Sequence, residues 1–167
     1  SSRNLTAVRA MVAVVDKVGF KGLNKYLTNL GFEFSNDELT YAYSLGGTNT
    51  GVSPSQMNGA YAAFGNGGKY IKPWAVRYYV NDSDGKKTEN PTKPVQAIDE
   101  KTAFMMASAL ERSTKNSVLL GAVGSIGVPY AAKTGTSNWG KEGAQYGIPN
   151  LSPKDSWVAG FTDQYTL

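Results

Sequence analysis

The chain has 167 residues, with 17 Lys and Arg against 13 Asp and Glu, for a formal charge of +4; that is enough for one domain with its own core, or for a large part of a bigger one. It contains no histidine and no cysteine, which excludes Ser-His and Cys-His nucleophiles, thiol chemistry and disulfides, and leaves a zinc site only carboxylates to work with. The basic residues are scattered, so the charge serves solubility or attraction to an anionic surface and does not read as a nucleic-acid footprint.

The chain opens with Ser1-Ser2-Arg3-Asn4 and passes almost directly into an apolar-periodic segment. Leu5, Val8, Met11, Val12 and Val15 recur at helical spacing, and the pattern predicts a helix over residues 5–17 with a buried stripe, closed by Gly19. Ser2 and Asn4 are expected in the turn that enters it, where Ser and Asn are good N-caps. A second helix is predicted from Phe20 to Leu30, with Phe20, Leu23, Leu27 and Leu30 on one face and Gly31 as its stop, so that the two form a helical hairpin. Residues 32–52 have no clear period and read as loop.

Ser53, Pro54 and Gln56 form a capping box with proline in the first helical position, ahead of Met57, Ala60, Tyr61 and Phe64 on one face. Gly65-Asn66-Gly67-Gly68 ends that helix. From Trp74 the period changes to two, through Val76, Tyr78 and Val80, and Asp84-Gly85 marks the turn of a surface ribbon. Pro91 and Pro94 punctuate the chain beyond the ribbon, and residues 95–98 are a candidate strand. Asp99 is the expected N-cap of a helix to about Arg112, with Ala103, Met106, Ala107 and Leu110 inward. Residues 121–127 are a small-residue loop. A strand carrying Lys133, a long polar connection over residues 139–153 and an antiparallel strand over residues 156–162 complete the pattern, and Tyr165-Thr166-Leu167 reads as the start of another strand. With no leader before Ser1 and an unfinished strand at the end, the sequence reads as cut from something longer. No apolar run approaches the roughly 18 residues of a membrane span.

The stretch that carries chemistry is Ala131-Ala132-Lys133-Thr134-Gly135-Thr136-Ser137-Asn138. On a strand it offers an ammonium for proton traffic, hydroxyls to grip a carboxylate, and at Gly135 a place where a substrate backbone can come close. Such a sheet edge suits an extended ligand. Taken alone, Lys-Thr-Gly reads first as a surface turn, and Ser2 and Asn4 read first as helix caps.

Several blocks decide between these readings. Ser2-Arg3-Asn4, Gly51-Val52-Ser53-Pro54, the run from Ala60 to Gly68, Tyr70-Ile71-Lys72-Pro73, the run from Lys133 to Asn138 and the run from Asp155 to Thr162 succeed one another along essentially the whole chain. In that order they resemble the transpeptidase domain of class A, bifunctional penicillin-binding proteins. The resemblance implies a mixed α and β (α+β) fold, an antiparallel sheet containing the Lys133 and Trp157 strands with packed helices, and a domain incomplete at both ends. It also implies peptidoglycan cross-linking by acyl transfer from D-Ala-D-Ala through an acyl-serine, without cofactor or metal and with inhibition by β-lactams. Localisation on the extracytoplasmic face of the bacterial membrane, with an anchor outside these residues, is implied by the same resemblance.

Carried over by residue, Ser2 and Asn4 are the Ser-x-Asn motif. Ser2 relays a proton to the departing D-alanine amine, and Asn4 holds the substrate amide and the active-site lysine. Lys133 keeps Ser2 poised. Thr134, Gly135, Thr136 and Asn138 form the substrate-binding set: Thr134 and Thr136 bind the terminal carboxylate of the stem peptide or of a β-lactam, and the Thr136 N–H is one of two oxyanion donors. The family's Ser-x-x-Lys nucleophile motif has one match, Ser83-Asp84-Gly85-Lys86, which falls in the predicted turn and comes after Ser-x-Asn where the family places it before. We read that match as chance and expect the nucleophile on an upstream segment or a companion chain. Alternatives stay open: a D,D-carboxypeptidase or β-lactamase of the same superfamily, or a non-catalytic structural half of a two-chain domain. Nucleotide binding is disfavoured, because Gly127 to Thr134 departs from a phosphate-binding loop at Ala132 and Pro129.

Overall fold

A computed structural model of the chain describes residues 2–35, 39–47, 50–116 and 127–166, with side chains from Asn4 onward within them. Helix α1 spans Ser2–Asn29 and is broken at Gly19, whose φ of 67° and ψ of 172° are not helical. A left-handed φ is open to glycine without a Cβ penalty. The two expected helices are both present, but a one-residue corner joins them where a hairpin was expected.

Two further expectations for this segment are corrected. Ser2 and Asn4 do not sit in a turn ahead of the helix: its backbone begins at Ser2 and Asn4 lies in its first turn, exposed. The apolar period marks where a stripe begins, not where the helical backbone does. Nor is that stripe buried. Leu5 is 52% exposed and Val12 36%, while Val8, Met11 and Val15 are half-covered. The second half of α1 is different, because Asn24 is buried and Leu27 packs against the core.

That core gathers Leu30 and Phe32 after α1, Ala60 and Ala63 of helix α2 (Pro54–Gly65), Ala97 and Ile98, and Ala103 of helix α3 (Glu100–Lys115). α2 starts as expected: the Ser53 hydroxyl accepts the Gln56 N–H at 3.2 Å, and the Gln56 side-chain oxygen accepts the Ser53 N–H at 2.9 Å. The α3 start is also as expected, with one Asp99 carboxylate oxygen accepting the amides of Lys101 and Thr102. α3 runs three residues past the expected end, and Met106 is exposed instead of inward. Thr114 takes a buried place on this helix.

Strand β1 (Lys69–Tyr70), for which the sequence shows no period, pairs antiparallel with β4 (Val95–Gln96). Gly68 makes the junction: its carbonyl accepts the amides of both Ala97 and Ile98, and its φ is 83°. β2 (Tyr78–Val80) and β3 (Lys87–Glu89) form the expected ribbon. Residues 32–52 contain a 3-10 helix over Tyr41–Leu45 that packs against α1, with Phe34 stacked on Phe32 and edge-on to Tyr43. The expected loop at residues 121–127 lies outside the described residues except for Gly127.

β5 (Ala131–Asn138) and β6 (Pro153–Phe161) form the longest antiparallel pair, with α3 packed on β5 and α2 on β6. The fold is therefore mixed α and β, with antiparallel strands and packed helices as expected. The long connection between the two strands holds a 3-10 helix over Gly140–Tyr146. Beyond β6 the chain turns back, with Thr162 N–H bonded to the Tyr165 carbonyl and Thr166 bridging to Phe161; Leu167 is outside the described residues.

Candidate active-site strand

The Lys-Thr-Gly stretch is a strand, as its residues suggest, and the register with β6 runs from Ala131 opposite Phe161 to Ser137 opposite Asp155. In an antiparallel ladder alternate residues direct their backbone groups toward the partner and away from it. Three observations show which are which. Ala132 N–H is bonded 3.0 Å away to the Thr114 hydroxyl on α3, and therefore not to β6. A Cβ on Gly160, opposite Ala132, would lie 2.9 Å from the Ala132 Cβ, inside even the roughly 4.5 Å of a non-hydrogen-bonded pair, so the strands crowd together here and the wider, hydrogen-bonded type of pair does not fit. The Thr134 carbonyl accepts the Lys133 ammonium at 2.6 Å, so it too points away from β6.

It follows that Lys133 and Gly135 pair with β6, while the backbone groups of Ala132, Thr134 and Thr136 face the outer edge. Among the described residues no strand covers that edge. Thr114 closes it at Ala132 and leaves it open at Thr134 and Thr136.

Strand alternation also sorts the side chains. Lys133, Gly135 and Ser137 are on one face, and Thr134 and Thr136 are on the other. A ligand can meet both sets only by lying along the outer edge. Lys133 and Thr136 are exposed and Thr134 is half-buried. Gly135 is also exposed, and among the described residues beyond its chain neighbours a Cβ there would meet nothing closer than the Trp157 Cβ at 3.7 Å.

At the far end, the Ser137 hydroxyl donates to the Asp155 carboxylate. The register then shifts, so that Asn138 pairs with Pro153. The connection folds back over this end: Trp139 N–H reaches the Ser152 carbonyl, the Trp139 ring meets Tyr146 edge-on, and Lys154 lies 5.2 Å from the Trp139 ring centre and 3.5 Å from Glu142. Asn138 is exposed at the mouth of this loop.

The first half of the expected site is less assembled. Asn4 is exposed on α1, and the Ser2 side chain lies outside the described residues. Among the described residues no hydrogen bond or ion pair joins Asn4 to Lys133. Ser83 sits in the ribbon turn with its hydroxyl donating to Asn81 at 2.8 Å, and Lys86 N–H is bonded to Asp84. This is a turn held by its own side chains. Lys133 continues a strand and opens no helix, so the backbone geometry of a phosphate-binding loop is absent. Among the described residues no group of three or more carboxylates gathers where it could hold a metal. Thr114 is a polar neighbour of β5 that no motif in the sequence points to; Asp155 opens the motif block that runs to Thr162 but has no site role in the sequence reading.

Residues 8–166 match the family model described as "Penicillin binding protein transpeptidase domain". The chain belongs to this family. Ser2 and Asn4 fall just before the matched residues. Among curated relatives, the chain is 38% identical over 99% of its length to penicillin-binding protein 1A/1B of Bacillus subtilis, and 33% identical over 99% to penicillin-binding protein 1A of Streptococcus pneumoniae. It spans about a fifth of these relatives, 18% and 23% respectively. Among solved structures it is similar to penicillin-binding protein 1A of Haemophilus influenzae, with a TM-score of 0.68 at 22% identity over 95% of this chain and 26% of that one. It is also similar to the imipenem acyl-enzyme complex of penicillin-binding protein A from M. tuberculosis, with a TM-score of 0.64 at 17% identity over 89% of this chain and 36% of that one. At these identities the structures attest the fold. The penicillin-binding-protein resemblance read from the motifs thus stands, with class A relatives covering nearly all of the chain.

Proposed function

We propose that this chain supplies the substrate-binding strand and the Ser-x-Asn motif of a peptidoglycan D,D-transpeptidase. The observation that carries the reading is the open outer edge of β5 at Thr134 and Thr136, next to the Lys133 ammonium, in a chain of the transpeptidase family. An extended peptide lying on that edge can pair with backbone groups while its terminal carboxylate meets the threonine hydroxyls.

In the proposed reaction a serine Oγ attacks the carbonyl of the penultimate D-alanine, and the peptide bond to the terminal D-alanine breaks. Ser2 passes the proton to the departing amine, held by Lys133, while Asn4 orients the substrate amide. The Thr136 N–H stabilises the oxyanion, a role suited to a donor already fixed on a strand. An acceptor amine on a second stem peptide then takes the acyl group from the serine. The nucleophile belongs to a Ser-x-x-Lys segment on a companion chain or upstream of these residues, since Ser83 is committed to a turn. A β-lactam acylates the same serine. Among the described residues no helix is long and apolar enough to cross a membrane; the proposed extracytoplasmic location requires an anchor elsewhere.

Intact-mass spectrometry of the full-length protein before and after benzylpenicillin tests the reading. One penicilloyl mass on a serine outside these 167 residues is the expected result. An adduct on Ser83 or Ser2 overturns the placement of the nucleophile, and no adduct overturns the acyl-serine reading. Rapid loss of the adduct to water instead favours a β-lactamase, and release of terminal D-alanine without cross-linking favours a carboxypeptidase.

A further inference from the structure

Thr114 is the largest side chain that is fully buried among the described residues, at 1% exposure. Its hydroxyl oxygen lies 2.7 Å from the carbonyl of Leu110, one turn back on α3. A threonine in a helix commonly makes that bond and no other. Here the same oxygen accepts the Ala132 N–H at 3.0 Å and lies 3.2 Å from the Ala132 carbonyl oxygen. A hydroxyl has one proton to give and lone pairs to accept with, so it can serve the amide and one carbonyl at once.

The contact falls at a particular place on β5. Ala132, Thr134 and Thr136 are the successive residues whose backbone groups face the outer edge. A helix side chain satisfies the first of these, and among the described residues the Thr134 amide and the backbone groups of Thr136 are left open, the Thr134 carbonyl meeting only the Lys133 ammonium. An extended peptide adding to this edge therefore meets α3 at Ala132 and cannot run past it. Because strand faces alternate with period two, a slip of one residue would exchange the outward amides and the faces that carry Lys133 and the threonines.

We propose that Thr114 is a positioning residue: its hydroxyl caps the outer edge of β5 at Ala132 and makes Thr134 the first open position for an extended, carboxylate-bearing ligand. This rests on the strand-edge reading of the proposed function. Thr114 touches no substrate and acts through Ala132.

The test combines amide hydrogen exchange with acylation kinetics on the full-length protein, as wild type and as Thr114→Val and Thr114→Ser. In the unliganded wild type, the Ala132 amide should exchange as slowly as those of Lys133 and Gly135, and the Thr134 and Thr136 amides should exchange faster. In Thr114→Val, Ala132 should exchange as fast as Thr134, and benzylpenicillin acylation per folded molecule should slow by about ten- to a hundredfold, the upper figure being the scale of a misplacement of about 1 Å. Thr114→Ser should restore both. Wild-type acylation in a folded Thr114→Val protein, or fast Ala132 exchange in the wild type, would overturn the proposal. If Thr114→Val does not fold, the wild-type exchange pattern decides alone. If the wild type is never acylated, the transpeptidase reading fails, and the exchange pattern still decides whether Thr114 caps the edge.

Discussion

Gly135 stands directly opposite Trp157 in the β5–β6 register, and a Cβ added to it would lie 3.7 Å from the Trp157 Cβ. That is ordinary contact, so nothing among the described residues requires a glycine there. Substituting Gly135→Ala should leave the unfolding free energy, read by chemical denaturation, unchanged or raise it by about 0.4–1 kcal/mol, because the unfolded chain loses freedom. Acylation by benzylpenicillin should fall about tenfold or more, because the added methyl occupies the face a ligand backbone must approach. Unchanged acylation would show that the close approach occurs elsewhere.

Thr136→Val keeps the shape and the backbone N–H of Thr136 but removes its hydroxyl. If that hydroxyl binds the ligand carboxylate, the apparent affinity for benzylpenicillin should fall by roughly 1.5–3 kcal/mol, the worth of a hydrogen bond to a charged group. The acylation rate at saturation should change little, because the oxyanion donor remains. A loss confined to the saturating rate would argue against the carboxylate role.

Gly68 contrasts with Gly135. Its φ is 83°, and a Cβ on it would overlap the Ile98 carbonyl oxygen, the backbone of the next core segment. Gly68→Ala must pull β1 away from the Ala97 and Ile98 amides, and should cost about 2–4 kcal/mol from backbone strain and displaced packing. Chemical denaturation of the full-length protein against wild type would measure it, and a cost below about 1 kcal/mol would mean the junction yields easily.

In the ribbon, Lys87 holds Glu89 at 2.5 Å and lies 4.2 Å from the centre of the Tyr78 ring across the strand pair. The hydrogen bond from Lys87, then its charge, lowers the Glu89 pKa below the usual carboxylate value. A carboxylate with a depressed folded pKa contributes stability that is complete above its unfolded pKa and is lost as pH falls through its folded pKa. The pairing should therefore persist through neutral pH and weaken only in acid. The carboxyl carbon of Glu89, followed by NMR, should titrate below a free glutamate, and Lys87→Met should return it toward the usual value. An unchanged midpoint in that variant would assign the shift to another group.

Much of this molecule could be read along the chain because the signals are local. A capping box needs only Ser53 and Gln56 three residues apart, and Asp99 needs only the amides of Lys101 and Thr102. The period-two run with Asp84-Gly85 carries its own turn, and the string from Lys133 to Thr136 marks a candidate site whatever it packs on. The order of the motif blocks placed the chain in its family for the same reason, since each block is a contiguous string.

The tertiary structure decided what depends on partners far away in sequence. Whether Leu5 and Val12 are covered depends on which surfaces reach that end of α1, and an apolar period cannot say. β1 was illegible because two residues carry no period, and it exists through pairing with Val95 and Gln96. Which backbone groups of β5 face outward depends on registry with β6 and on one hydroxyl of α3, 18 residues before Ala132. The sequence by itself determined the residue types at the candidate site, since chemistry is local. Which strand edge stays open was decided only by packing, because an edge is defined by what lies beside it.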